Sequence, residues 1–96
     1  MPPLTTHPGE ILKEEFMVPL EISDRALAAD IHVPPNRSTE IVNGDRSVTA
    51  DTAIRLGRYF NTTSHFWLNL QQAYDLSKAE IEGDFKKIRP RTGDAA

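Results

Sequence analysis

The chain has no cysteine among its 96 residues. This excludes a disulfide framework and any thiolate metal site, and it fits a reducing compartment. It also lacks an apolar run near the roughly 18 to 20 residues that cross a bilayer, and the opening MPPLTTHPGE has neither the basic nor the apolar region of a signal peptide. A cytoplasmic protein of one domain is expected. Strand-like alternation is almost absent, so no glycine-rich phosphate loop can follow a strand. His7, His32 and His65 are too far apart for a local metal-ligand motif, and the adjacent Glu14 and Glu15 point different ways from a helix. Ser, His and Asp occur, but nothing aligns them as nucleophile, base and orienter. The reading is therefore of a protein without catalytic, metal or cofactor sites.

What remains is a helical pattern punctuated by proline and glycine. Pro8 opens a first helix carrying Ile11, Leu12, Glu15 and Phe16 at helical spacing, and Pro19 is expected to end it. Ser23 caps a second helix that stops near Asp30. A third begins at Pro35, because the residue before a proline is pushed out of helical geometry and Pro34 must stand outside, and it closes at Asn43-Gly44. Thr49 caps a fourth helix with Ala53, Leu56 and Phe60 on one face. After Asn61-Thr62-Thr63, Ser64 is expected to cap a fifth carrying Phe66, Trp67, Leu70, Ala73 and Tyr74. The expected fold is an all-α, five-helix bundle over residues 1–79, with a polar, loosely ordered tail over 80–96.

Ser23 to Gly44 carries the functional signal. Leu27, Ala28, Ile31, Val33, Ile41 and Val42 fall where two short helices cross at a tight turn. Ala28 allows close approach, and Val33 plugs the elbow. This is the spacing of a DNA-binding helix-turn-helix. The formal charge of −3 is not the basic footprint of a typical DNA binder, but its distribution is uneven. Glu10, Glu14, Glu15 and Glu21 make the first helix region acidic, whereas Arg37, Arg46, Arg55 and Arg58 follow the turn and Lys86, Lys87, Arg89 and Arg91 lie in the tail. A basic face opposite an acidic one would serve phosphate binding within an acidic total.

Four ordered stretches, HPGEILKEEF at 7–16, the helix-turn-helix with its NG at 43–44, VTADTAIRL at 48–56 and FWLNLQQAYDL at 66–76, together resemble the HigA family of antitoxins, within the lambda-repressor-like, XRE-type domains. The resemblance spans roughly residues 4 to 79. It implies a homodimer that represses its own operon and binds a partner toxin, usually an mRNA-cleaving ribonuclease.

In such a domain the third helix lies in the major groove while the second crosses the backbone. Pro35, Asn36 and Arg37 open that recognition helix: Asn pairs bidentately with adenine, Arg with guanine or phosphate. Thr39 can touch a thymine methyl and Glu40 can accept from cytosine. Asn43 and Arg46 are placed for phosphates, which fix register. On the fifth helix, Phe66, Trp67, Leu70 and Tyr74 exceed what one face of a terminal helix needs, and are read as a dimer interface across a two-fold axis.

Five positions depart from the family pattern. Asp24 replaces a phosphate-binding Gln, Asp45 a frequent Lys, and His32 the usual turn Gly, where a left-handed backbone is expected. Pro34 replaces the Ser that normally caps the recognition helix, a bond worth about 1 kcal/mol. Ser38 replaces a core Ile or Val; if buried, its hydroxyl is expected to bond a carbonyl one turn back. Two readings stay open at this point: an antitoxin-type repressor, or a protein-interaction module or solitary regulator of the same fold with little DNA affinity.

Overall fold

In a computed structural model of the protein, which describes residues 5–91, every helix but the third starts where a side chain serves the free N–H groups of the first turn. The first helix, α1, runs without a break through Pro8–Ile11, Leu12–Met17 and Val18–Leu20. His7 closes its start, Nδ1 accepting the Gly9 N–H at 2.9 Å. Ser23 caps α2 (Asp24–Asp30), accepting the Ala26 N–H at 3.1 Å. Pro34 precedes α3 (Pro35–Val42) with no side-chain bond to offer. Thr49 caps α4 (Ala50–Phe60), and α5 (Ser64–Glu82) completes the bundle. Its cap is Thr63, one residue before the expected Ser64, because Thr63 is the extended residue whose hydroxyl accepts the Phe66 N–H at 3.0 Å. α5 reaches Glu82, three residues into the segment expected to be tail. The described residues contain no strand.

Pro19 does not end α1 as expected; it sits inside the last turn. The middle of α1, Leu12–Met17, is a π-helix, and the Val18 N–H bonds the Lys13 carbonyl five residues back. That wider turn eases the clash a proline ring makes with the carbonyl four residues before it, and it brings Leu12 and Met17 together on the core side.

Helix ends are set by one repeated device. At the ends of α1, α2, α3 and α4 the residue past the helix is left-handed: Glu21 (φ 56°), His32 (φ 63°), Gly44 (φ 81°) and Asn61 (φ 58°). The following N–H returns to a carbonyl five residues earlier, as Val33 does to Ala28 at 3.0 Å and Asp45 to Glu40 at 2.8 Å. Gly44 alone of the four is glycine.

The core is built from Leu12, Met17, Leu27, Ile31, Ile41, Val48, Ala53, Leu56 and Trp67. Burying each of the larger side chains contributes roughly 1.5–3 kcal/mol. α2 packs on α3, α4 on α5, and α1 touches both α3 and α5. Phe16 of α1 meets Phe60 at 4.9 Å and Trp67 at 5.1 Å between ring centres, joining three helices in one aromatic cluster. Gly9 sets how closely α1 approaches α3: a Cβ there would overlap the Ile41 carbonyl oxygen.

Candidate nucleic-acid interface

The crossing of α2 and α3 follows the small and apolar residues between Ser23 and Gly44. Leu27, Ala28, Ile31 and Ile41 are buried in it, and Val33 is half-buried at the elbow. His32 adopts the left-handed backbone expected of it. Ser38 is buried, at 2% exposure, but the expected carbonyl bond is not made: its Oγ has no hydrogen-bond partner among the described residues. An unsatisfied buried hydroxyl costs about 1–3 kcal/mol, so this recognition helix is seated less firmly than one with a branched aliphatic there.

Opposite the buried Ser38 and Ile41, α3 presents Asn36, Thr39, Glu40 and Asn43 along one stripe at three- and four-residue spacing. Asn36, Thr39 and Asn43 are exposed, Glu40 is half-buried, and Pro35 is exposed at the head of the helix. Arg37 lies on the flank, half-buried. Its charge helps hold the Asp51 carboxyl of α4 below the usual carboxylate range, an effect led by the hydrogen bond from Arg55. Arg46 extends from the following loop and forms a 2.7 Å ion pair with Glu40.

Two expectations about charge change in consequence. Asp24 is not simply a repulsive carboxylate facing DNA, because it accepts the Thr39 hydroxyl at 3.2 Å and so ties α2 to the exposed stripe. The basic face is also thinner than the composition implied. Arg46 is held by Glu40, and Arg55 by Asp51 at 2.8 Å, with one Arg55 nitrogen turned onto the Ile31 and His32 carbonyls at 2.8 and 3.2 Å.

Sequence reasoning passed over several residues that place this surface. Tyr59 donates to the Asp30 carboxylate at 2.6 Å, and that bond raises its pKa above the usual phenol value. Buried Gln71 of α5 accepts the Val48 N–H at 2.7 Å, pinning the segment between α3 and α4, and donates to Asp75 at 2.9 Å. A Gln amid an apolar helical pattern is the one signal that marked it. Thr5 bonds Ser77 through both its N–H and its hydroxyl, fastening the segment before α1 to α5.

The four residues read as a dimer face fare unequally. Trp67 is wholly buried, at 0% exposure, and its indole N–H donates to Thr62 Oγ1 at 2.9 Å; it belongs to the core and presents nothing to a partner. The aromatic payload counted as surplus was needed inside, because α1, α4 and α5 all converge on this ring. Leu70 packs against the core, and Tyr74 is half-buried with the His7 ring edge-on at 4.8 Å. Phe66 keeps 36% of its surface exposed. No cluster of three or more His, Cys, Asp or Glu side chains is placed to hold a metal, and no helix is long and apolar enough to cross a membrane, among the described residues.

No protein-family model matches the chain. Individual relatives do. Virulence-associated protein I of Dichelobacter nodosus is 55% identical over 74 residues, covering 77% of this chain and 68% of that protein. Antitoxin HigA-1 of Vibrio cholerae is 37% identical over 84 residues, covering 85% and 79%. Among solved structures, the Pseudomonas aeruginosa antitoxin HigA with the higBA promoter superposes with a TM-score of 0.82 at 43% identity, covering 91% of this chain and 98% of that one. With this likeness running the length of the helix-turn-helix and its supporting helices, the chain belongs to the HigA-family antitoxins, helix-turn-helix proteins of the XRE type.

Proposed function

We propose that this protein is a sequence-specific DNA-binding repressor that acts as the antitoxin of a toxin–antitoxin pair, controlling its own operon and neutralising a ribonuclease-type toxin. The observation that carries the reading is the stripe of Asn36, Thr39, half-buried Glu40 and Asn43, turned outward on a helix whose opposite face packs into the core, in a chain like a HigA antitoxin solved with its promoter. Asn36, Thr39 and Glu40 read base edges. Pro35 starts the helix at the groove floor, and Arg37, Asn43 and Arg46 hold phosphates, fixing register without carrying sequence information.

The chain acts as a homodimer. A two-fold pair sets two recognition helices about 34 Å apart, one turn of the duplex, and calls for a palindromic operator. Of the residues read as the dimer face, Phe66 contributes the exposed ring, with Leu70 and Tyr74 behind it.

Titration of the purified protein against its own promoter at several salt concentrations tests this reading. Specific binding with a negative log–log salt slope supports it, whereas affinity equal to that for random duplex overturns it and favours the protein-interaction alternative.

A further inference from the structure

One stripe of α4, at positions 51, 55 and 59, runs beside the elbow of the helix-turn-helix, and two of its side chains make three hydrogen bonds to it. The Arg55 guanidinium donates from a single nitrogen to the Ile31 and His32 carbonyls, the last acceptors of α2 and its turn. Asp51 accepts from Nε of the same guanidinium at 2.8 Å, which fixes its plane. One helical turn further, Tyr59 donates to Asp30, the last residue of α2. The backbone so held is unusual, since His32 takes a left-handed conformation that is unfavourable for a non-glycine residue. The helix beyond it lacks a side-chain cap at Pro34 and carries an unsatisfied hydroxyl at Ser38. The elbow is thus strained and its downstream helix weakly seated, while α4 grips it from outside at three consecutive residues.

We propose that Arg55 and Tyr59 are positioning residues for DNA recognition: through the Asp30–His32 elbow they set the angle at which α3 enters the groove, without touching DNA themselves. The proposal rests on the repressor reading above. Arg55 also belongs to the run of arginines after the turn that could serve phosphates, and the two roles differ in outcome. Losing a phosphate contact lowers affinity for every sequence alike and flattens the salt dependence. Losing a positioning contact lowers affinity for the operator alone, because random duplex is held by phosphates and asks nothing of the base-reading stripe.

The test compares wild type, Arg55→Met, Arg55→Lys and Tyr59→Phe on the promoter duplex and on a random duplex of equal length, by fluorescence anisotropy at two salt concentrations. Arg55→Met is expected to lose about tenfold on the operator, and Tyr59→Phe about threefold, with random-duplex affinity and salt slope retained. Arg55→Lys recovers part of the loss, since an ammonium can still donate to a carbonyl. Equal loss on both duplexes, or no loss on either, overturns the proposal. Because Arg55→Met also changes packing, Tyr59→Phe, which removes one oxygen, keeps the question answerable if the first variant folds poorly. Should wild type itself show no operator preference, the repressor reading falls separately. The clamp is then judged by amide exchange: faster exchange over 31–38 in Tyr59→Phe sustains it, and unchanged exchange overturns it.

Discussion

The Asp24 carboxylate accepts the hydroxyl of Thr39 across the helix-turn-helix, joining the first residue of α2 to the middle of the recognition stripe. An acidic side chain thereby stands where the family places a neutral phosphate-binding amide. Asp24→Gln keeps an acceptor for Thr39 and removes a negative charge from the DNA side. Operator affinity is expected to rise about threefold to tenfold at low salt, with the gain shrinking as salt screens the charge over a Debye length of about 10 Å at 0.1 M. Anisotropy titrations at 50 and 200 mM salt would check this, and an affinity lowered by the substitution would make the carboxylate a contributor to recognition.

Ser38 offers a stability test. Ser38→Ala removes the unsatisfied hydroxyl and leaves the backbone and its neighbours in place, so the folded state is expected to gain about 1 kcal/mol. For a chain of this size that is a rise of roughly 4–8 °C in Tm. Thermal unfolding followed by circular dichroism reads it directly; an unchanged or lower Tm would mean that the hydroxyl is satisfied in solution.

Gly9 is expected to tolerate nothing larger. Ala at that position drives a methyl into the Ile41 carbonyl, and relief requires α1 to move away from α3. The loss is expected to be about 2–3 kcal/mol, the upper part of the range for an overpacked site. Urea unfolding would register it as a lower midpoint with an unchanged slope.

His7 gives the fold a pH dependence. Burial holds its pKa below the ordinary 6.5, against the pull of Asp75 and Asp45 and with help from Lys78. Its Nδ1 accepts the Gly9 N–H only in the neutral ring, so protonation also removes a helix cap. The unfolded chain therefore takes up this proton first. The contribution of His7 is complete above about pH 6.5 and is lost as the pH falls through that value toward the lowered folded pKa. His7→Asn retains an acceptor at the cap and removes the titration. Its urea midpoint is expected to change less between pH 7.5 and 5.5 than that of the wild type.

How far the sequence carried the fold can be judged residue by residue. Ser23, Thr49, Pro35 and the Asn43-Gly44 close were legible because capping and termination depend on residues close in the chain. Pro19 misled, since a proline disfavours the α-turn before it but leaves the wider π register open, and no local pattern marks that Leu12 and Met17 are both buried. The left-handed ends at Glu21 and Asn61 were passed over because neither is glycine, the residue by which such ends are recognised. Trp67 was misplaced for a different reason. Helical spacing tells which residues share a face, but not whether that face meets one neighbour or two, and here α1 and α4 both press on it. The Arg55 and Gln71 contacts span 24 and 23 residues and join polar side chains to backbone, a pairing no local pattern announces.

The backbone contact between Gly9 and Ile41 has a consequence for how such a repressor can diverge. Where Gly9 meets Ile41 no side chain lies between α1 and α3, so this crossing offers no packing layer through which α1 could re-aim the recognition helix by degrees. New operator preferences then arise by exchange at the outward positions 36, 39, 40 and 43, where residues change without repacking the core, or at the α4 contacts that hold the elbow. Paralogous copies of the chain could then part company at the DNA while keeping an interchangeable frame.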